Sequence, residues 1–280
     1  MQPPPPVMVA ELFPGERAAL LKLLRGLAAE QWASPTVCAG WSAHEVALHI
    51  LGGDIGILST GRDGYRKARM ASDQDLSHWE TLLAFINRQN DLWVQATRHL
   101  SPRLLCDFLE LTGEGIARYF AEIDPLALGG PVQWVSFAPA PVWMDTAREY
   151  TERWTHQQHI RDAVEQPGLK ERRWLAPVLA AFVHALPHTL EPISAPAGTS
   201  VQLTITGEAG GSWRAVRTDQ GWALTIDTIP APDAWVSLDQ EIAWRLFTKG
   251  LSKADAAPHI TQEGNLLLAD RVLDMVSMIA

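Results

Sequence analysis

The feature that most constrains this chain is a change of hydrophobic period at Pro187. Before it, apolar residues recur every three or four positions; after it, they alternate. Helices followed by strands in one chain specify an α+β fold. Leu12, Ala18, Leu21, Leu24 and Leu27 set a helical face over 9–28. Ser42, with Glu45 three residues on, is a capping box that opens a second helix reaching residue 59. Further helices are expected over 75–100, over 102–123 behind Ser101-Pro102, over 142–164 up to Pro167-Gly168, and over 171–186. Short joins favour antiparallel neighbours. The exception is 126–141, which holds Gly129, Gly130, Pro131, Pro139 and Pro141 and reads as a long irregular loop of the kind that borders a site.

Pro187, Pro192, Pro196 and Gly198 mark a linker. Alternating strands are expected over 201–205, 213–217, 222–226 and 234–238, joined by hairpins, and then helices over 239–247 and 265–279. The division is therefore a helical domain over 1–190 and a small α+β domain over 199–280.

Charge narrows the partners. Lys and Arg number 23 against 32 Asp and Glu, a net charge of -9 over 280 residues. Such a surface repels phosphate backbones, and the densest basic run, Lys170-Glu171-Arg172-Arg173, is interrupted by an acid. Nucleic acid is not an expected partner. The two cysteines, Cys38 and Cys106, cannot make a disulfide framework and suit a reducing cytoplasm as small buried hydrophobes. Met1-Gln2 and Pro3 to Pro6 lack the basic and apolar regions of a signal peptide, and no stretch approaches the roughly 20 apolar residues of a membrane span. Of 12 tryptophans, most are expected in cores; Trp41 and Trp154 lie inside the motifs below and are expected near a site.

Glu152-Arg153-Trp154-Thr155-His156-Gln157-Gln158-His159 carries the chemistry. Residues four apart on a helix lie about 40° from one another, so Glu152 and His156 share a face, and His159 stays near it. A carboxylate and an imidazole so spaced are what a helix offers a divalent metal. The same spacing suits an exposed i,i+4 pair, with Arg148 and Glu149 crowding the same face. A third ligand has to come from elsewhere, and His49 is the best candidate. His44-Glu45-Val46-Ala47-Leu48-His49 is not the zinc-protease HExxH, because its histidines are five apart and point about 140° away from each other. His49, between Leu48 and Ile50, is the inward one, as a ligand or as a hydrogen-bonded core histidine. Three protein ligands leave an open coordination position and so imply chemistry. There is no Gly-x-Ser-x-Gly elbow, no dinucleotide-binding glycine signature and no Walker A motif, and nothing near Cys38 marks it as activated.

Thr36-Val37-Cys38-Ala39-Gly40-Trp41-Ser42, with His49 eight residues after the Trp, resembles the N-terminal motif of the mycothiol-dependent maleylpyruvate isomerase family, and Glu152-x-x-x-His156 resembles its second motif. That family belongs to the wider DinB-like metalloenzyme superfamily. The resemblance covers essentially the whole chain. It implies a DinB-like four-helix bundle followed by a small sterol-carrier-like α+β domain. It also implies a divalent metal, usually zinc, on His49, Glu152 and His156, with His159 as a possible fourth ligand or outer partner. A low-molecular-weight thiol such as mycothiol would be the cosubstrate, the chain acting as monomer or homodimer. A thiol with a pKa of about 8.5 is mostly protonated at neutral pH, and metal coordination deprotonates it. The thiolate then adds to an activated double bond, the bond rotates and the thiolate leaves; in an S-transferase it stays. The family commonly has Asp where this chain has His159, with Asp162 later, which sets the chain apart in its substrate. Arg214 and Arg217 are the candidates for binding a substrate anion, as the family uses an arginine from its C-terminal domain. The competing readings are a non-catalytic metal- or apolar-ligand-binding protein and a metal-dependent hydrolase using metal-bound water.

Overall fold

The structure is a computed structural model that describes residues 1–65, 78–227 and 231–277, with Trp79 described by its backbone alone. In chain order it runs α1 (Phe13–Arg25), α2 (Ala43–Ile57), α3 (Trp79–Thr97) and α4 (Pro102–Glu122). It continues with β1 (Leu128–Pro131), β2 (Pro139–Pro141), α5 (Val142–Ala163), α6 (Arg172–Phe182) and α7 (Leu186–Leu190). Then come β3 (Ser200–Thr206), β4 (Gly211–Thr218), β5 (Gly221–Thr225), β6 (Ala234–Asp239), α8 (Gln240–Phe247), α9 (Lys253–Ala256), β7 (Ile260–Gly264) and α10 (Leu266–Val272). The chain thus mixes helix and sheet as its two periods require.

Four details depart from the sequence reading. The expected loop 126–141 contains a two-stranded antiparallel pair, β1 with β2; its glycines and prolines hide strands that carry no alternation. β5 and β6 are not a hairpin, since β6 pairs with β3 in parallel. β7 is an added antiparallel edge strand beside β6, missed because Thr261, Gln262 and Glu263 are polar. The last helix ends at Val272 rather than 279. The expected start of α3 at 75 and residues 278–279 of the last expected helix lie outside the described residues.

Contacts divide the chain into two compact units. The first comprises Val9–Asp124 and Glu152–Leu169, the second Met1–Met8, Pro125–Thr151 and Lys170–Ala280. In the first, α2 begins where Ser42 N–H donates to Glu45 Oε2 at 2.7 Å, the reciprocal bond completing the box. α4 packs on α1 and α2, and α3 on α2. Leu20, Leu24, Leu48, Leu51, Leu105 and Leu109 are fully buried, each contributing about 1.5–3 kcal/mol by leaving water. Ile160 and Val164, from the C-terminal half of α5, join this core. The close approach of α3 needs Gly52, where a Cβ would lie 2.6 Å from Trp93 Nε1, which instead donates to Leu48 O at 2.8 Å.

A buried ionic cluster crosses the same unit. Asp54 is fully buried. It accepts from Arg17 Nη1 at 2.6 Å, Thr112 Oγ1 at 2.7 Å and Arg153 Nη2 at 2.8 Å. Beside it, Gln157 Nε2 donates to Glu16 Oε1 at 2.6 Å.

In the second unit, the sheet order is β5-β4-β3-β6-β7. Val201, Leu203 and Ile205 of β3, with Val236 and Leu238 of β6, point to one buried face. Helices α8 and α10 pack on β3 and β6, and α6 packs on α8.

Candidate metal centre

Two helices and one turn of the first unit bring the candidate donors together. α2 carries His49, α5 carries Glu152, His156 and His159, and the turn before α2 carries Cys38. One ligand atom each from His49, Glu152 and His156 lie within 4.8 Å of one another. The His49 and His156 rings meet edge to face at 4.6 Å, and His156 Nε2 is 3.4 Å from Glu152 Oε2. His49 is therefore turned to the same place as the α5 pair. His44, five residues earlier, is not: its Nε2 lies 3.0 Å from Leu100 O and its ring meets Trp32 edge-on.

The surroundings fit a cation. His156 is 3% exposed, and its ring nitrogens lie beside Glu152 and Cys38 without a well-formed hydrogen bond to either. Orphaned buried nitrogens are costly, and a bound ion would satisfy one. Burial, with the charge of His156 adding to it, pushes His49 down to about 3, so His49 is neutral, the form that binds metal. Burial also disfavours charge on His156, but side-chain contacts with Cys38 and Glu152 outweigh it and raise that imidazole to about 9. An ion entering between Glu152 and His156 therefore displaces a proton. Two imidazoles and a carboxylate are a zinc-type donor set with room for a further ligand.

On α5, Arg148 pairs with Asp145 at 2.8 Å and with Glu149, while Glu152 Oε2 faces His156. Trp41 stacks at a tilt 5.2 Å from His49, whereas Trp154 is buried and donates to Leu169 O at 2.8 Å. Arg214 and Arg217 lie on β4 in the second unit. Arg214 is 6% exposed and donates to Gln202 Oε1 at 2.6 Å; Arg217 donates to Glu191 Oε2 at 3.3 Å.

Cys38 is the residue that sequence reasoning passed over. Its Sγ is 3.2 Å from His159 Nδ1, and Cys38, His156 and His159 form a second donor group with atoms within 4.8 Å of one another. A tight turn holds the thiol there. Trp41 N–H donates to Cys38 O at 3.0 Å, and Gly40 sits at φ +78°, backbone that favours glycine. The only sequence signal was the position of Cys38 three residues before Trp41. Among the described residues, no helix is long and apolar enough to cross a membrane.

Comparisons with known proteins identify the family of the segment that carries these donors. The family model described as mycothiol maleylpyruvate isomerase N-terminal domain matches residues 13–161, more than half of the chain and the span that holds all five donors. No curated protein sequence matches. Two solved structures share the fold over 91% of each chain. One is mycothiol-dependent maleylpyruvate isomerase, with a TM-score of 0.50 at 11% identity. The other is a histidine-to-alanine mutant of mycothiol-dependent maleylpyruvate isomerase, with a TM-score of 0.51 at 10% identity. At such identity these likenesses speak for the fold alone, and it is the match over 13–161 that carries the assignment: the chain belongs to the mycothiol maleylpyruvate isomerase N-terminal domain family.

Proposed function

We propose that this chain is a metal-dependent enzyme that uses a low-molecular-weight thiol of the mycothiol type to isomerise a small electrophile or to transfer sulfur to it. The observation that carries the reading is the convergence of His49, Glu152 and His156, with donor atoms within 4.8 Å of one another, inside the segment that matches the family model. A divalent ion, zinc by the nature of these donors, would supply a Lewis acid able to deprotonate a thiol at neutral pH. His49 contributes a neutral imidazole, His156 the imidazole that exchanges a proton for the ion, and Glu152 the negative charge. Trp41 offers an aromatic wall beside His49.

The division at 190 and 199, a DinB-like four-helix bundle and a sterol-carrier-like module, is part of the proposal. It is supported by the position of all five donors before residue 160 and of the five-stranded sheet after it. So are a cytoplasmic location and a monomer or homodimer. Arg214 and Arg217 are proposed to bind a substrate anion. They are three apart on a strand, so they face opposite sides and only one serves a given site. The test is thiol-dependence: the purified chain, loaded with zinc, is assayed against maleylpyruvate and related electrophiles with and without a small thiol. Turnover that needs the thiol supports the reading. Turnover without it identifies a hydrolase, and tight binding of apolar molecules with no turnover identifies a binding protein.

A further inference from the structure

The donor set His49, Glu152 and His156 leaves two potential ligands unused, and both stand beside it. Cys38 Sγ lies 3.2 Å from His159 Nδ1. That separation is within a few tenths of an ångström of the roughly 3.5 Å edge of a tetrahedron with metal–sulfur bonds near 2.3 Å and metal–nitrogen bonds near 2.0–2.1 Å. His156 is near both, and its ring faces that of His159 at 5.3 Å, edge to face. His159 is 2% and His156 3% exposed, so a cation placed here would be drawn to these side chains rather than to water. The ring nitrogens of His156 are buried without a well-formed hydrogen bond, so the imidazole is placed to serve either donor group.

We propose that Cys38, His156 and His159 form a second divalent-cation site, a thiolate and two imidazoles suited to zinc, cadmium or cobalt, which competes with His49 and Glu152 for one ion through the shared His156. The proposal rests on the metal reading above only through His156. Sulfur donors favour soft and borderline ions, whereas carboxylate donors also suit harder ones such as manganese. On binding, the Cys38 thiol gives its proton to the buffer and its sulfur bonds the ion; no bond in the protein breaks and no electron is transferred. A position occupied by sulfur also leaves fewer open places for an external thiol, so the ion's position sets how much activity a chain can show.

Cobalt separates the possibilities, because cobalt–thiolate bonds give a charge-transfer band in the near ultraviolet that nitrogen and oxygen donors do not. The full chain, stripped of metal by a chelator, is titrated with cobalt and followed by both absorbance and bound metal. The expected result is one ion per chain with the sulfur band. Cys38→Ser should keep one ion and lose the band, because the first set remains, and Glu152→Gln should keep the band. One ion without the band in the unaltered chain, lost in Glu152→Gln, overturns the second site and leaves the first standing. Two ions per chain overturn the sharing. No bound cobalt in any form overturns both.

A second measurement needs no variant. Zinc should slow alkylation of Cys38, read by peptide mass mapping, by at least about tenfold, since the reagent needs a free thiolate. Buried Cys106 (3% exposed) is the internal reference. Unchanged alkylation of Cys38 at saturating zinc overturns the proposal.

Discussion

Arg153 donates to Asp54 Oδ1 from Nη2 over 2.8 Å and from Nε over 3.1 Å, and this buried pair ties together the two helices that carry the candidate ligands. Asp54 lies five residues beyond His49 on α2; Arg153 is the neighbour of Glu152 on α5. The pair is completed by Arg17, whose Nη2 also donates to Asp54 Oδ1 at 3.0 Å. Removing one member leaves buried charge without compensation. Asp54→Asn is therefore expected to lower unfolding free energy by about 3–5 kcal/mol, read as a lower urea midpoint, and to weaken metal binding by loosening the approach of α2 to α5. An unchanged midpoint would remove the pair from any structural role.

The same carboxylate gives a signed pH effect. Burial alone would raise Asp54, but Arg17 and Arg153 hold it below the ordinary carboxylate range. A depressed folded value stabilises above the unfolded pKa of about 3.9 and is lost as pH falls through the folded one. Glu16, raised by burial against the pull of Arg17 and Arg153, works in the opposite direction, so the informative quantity is the difference between proteins. Stability measured from pH 6 downwards should fall less in Asp54→Asn than in the unaltered chain; parallel curves would contradict the assignment.

His184 acts in a different window. Burial pushes it from 6.5 down to about 4, and its ring packs edge-on against Trp143 at 5.4 Å. A histidine held neutral stabilises above its unfolded pKa of 6.5, and that stability is lost as pH falls towards 4. His184→Gln, neutral throughout, should flatten the pH dependence of the urea midpoint in this interval. An identical slope would show that His184 is not the group responsible.

Gly52 tests the packing of α2 on α3. A methyl group there meets the Trp93 indole at 2.6 Å and threatens its bond to Leu48 O. Gly52→Ala gains helix propensity of about 1 kcal/mol but should cost about 1–3 kcal/mol in overpacking. A net loss in thermal stability, with red-shifted Trp fluorescence, is the expected outcome; a net gain would show that the indole moves freely.

Much of this was legible in the sequence, and for physical reasons. Helical spacing located α1, α2, α4, α5 and α6 because each buries one face, and Ser42 with Glu45 marked a start through local hydrogen bonds alone. The grouping of Glu152 with His156 follows from helix geometry, and the exclusion of His44 from the five-residue spacing. What stayed hidden depends on partners far along the chain. β6 pairs in parallel with β3 through a crossover that no turn residue announces. Asp54, Arg17 and Arg153 look like surface charges until three helices meet. Cys38 looks inert because its partner His159 is 121 residues away; its chemistry is a property of the fold, not of its neighbours in sequence.

The central claim is that the chain holds a divalent ion on His156, the one residue common to both donor groups. The most direct test is elemental analysis by plasma mass spectrometry of the purified, tag-free protein beside His156→Ala, each before and after addition of zinc and gel filtration. The account predicts about one divalent ion per unaltered chain and a large loss in the variant, which forfeits both sets at once. Full stoichiometric metal in His156→Ala, or none in the unaltered chain even after zinc is added, would contradict it.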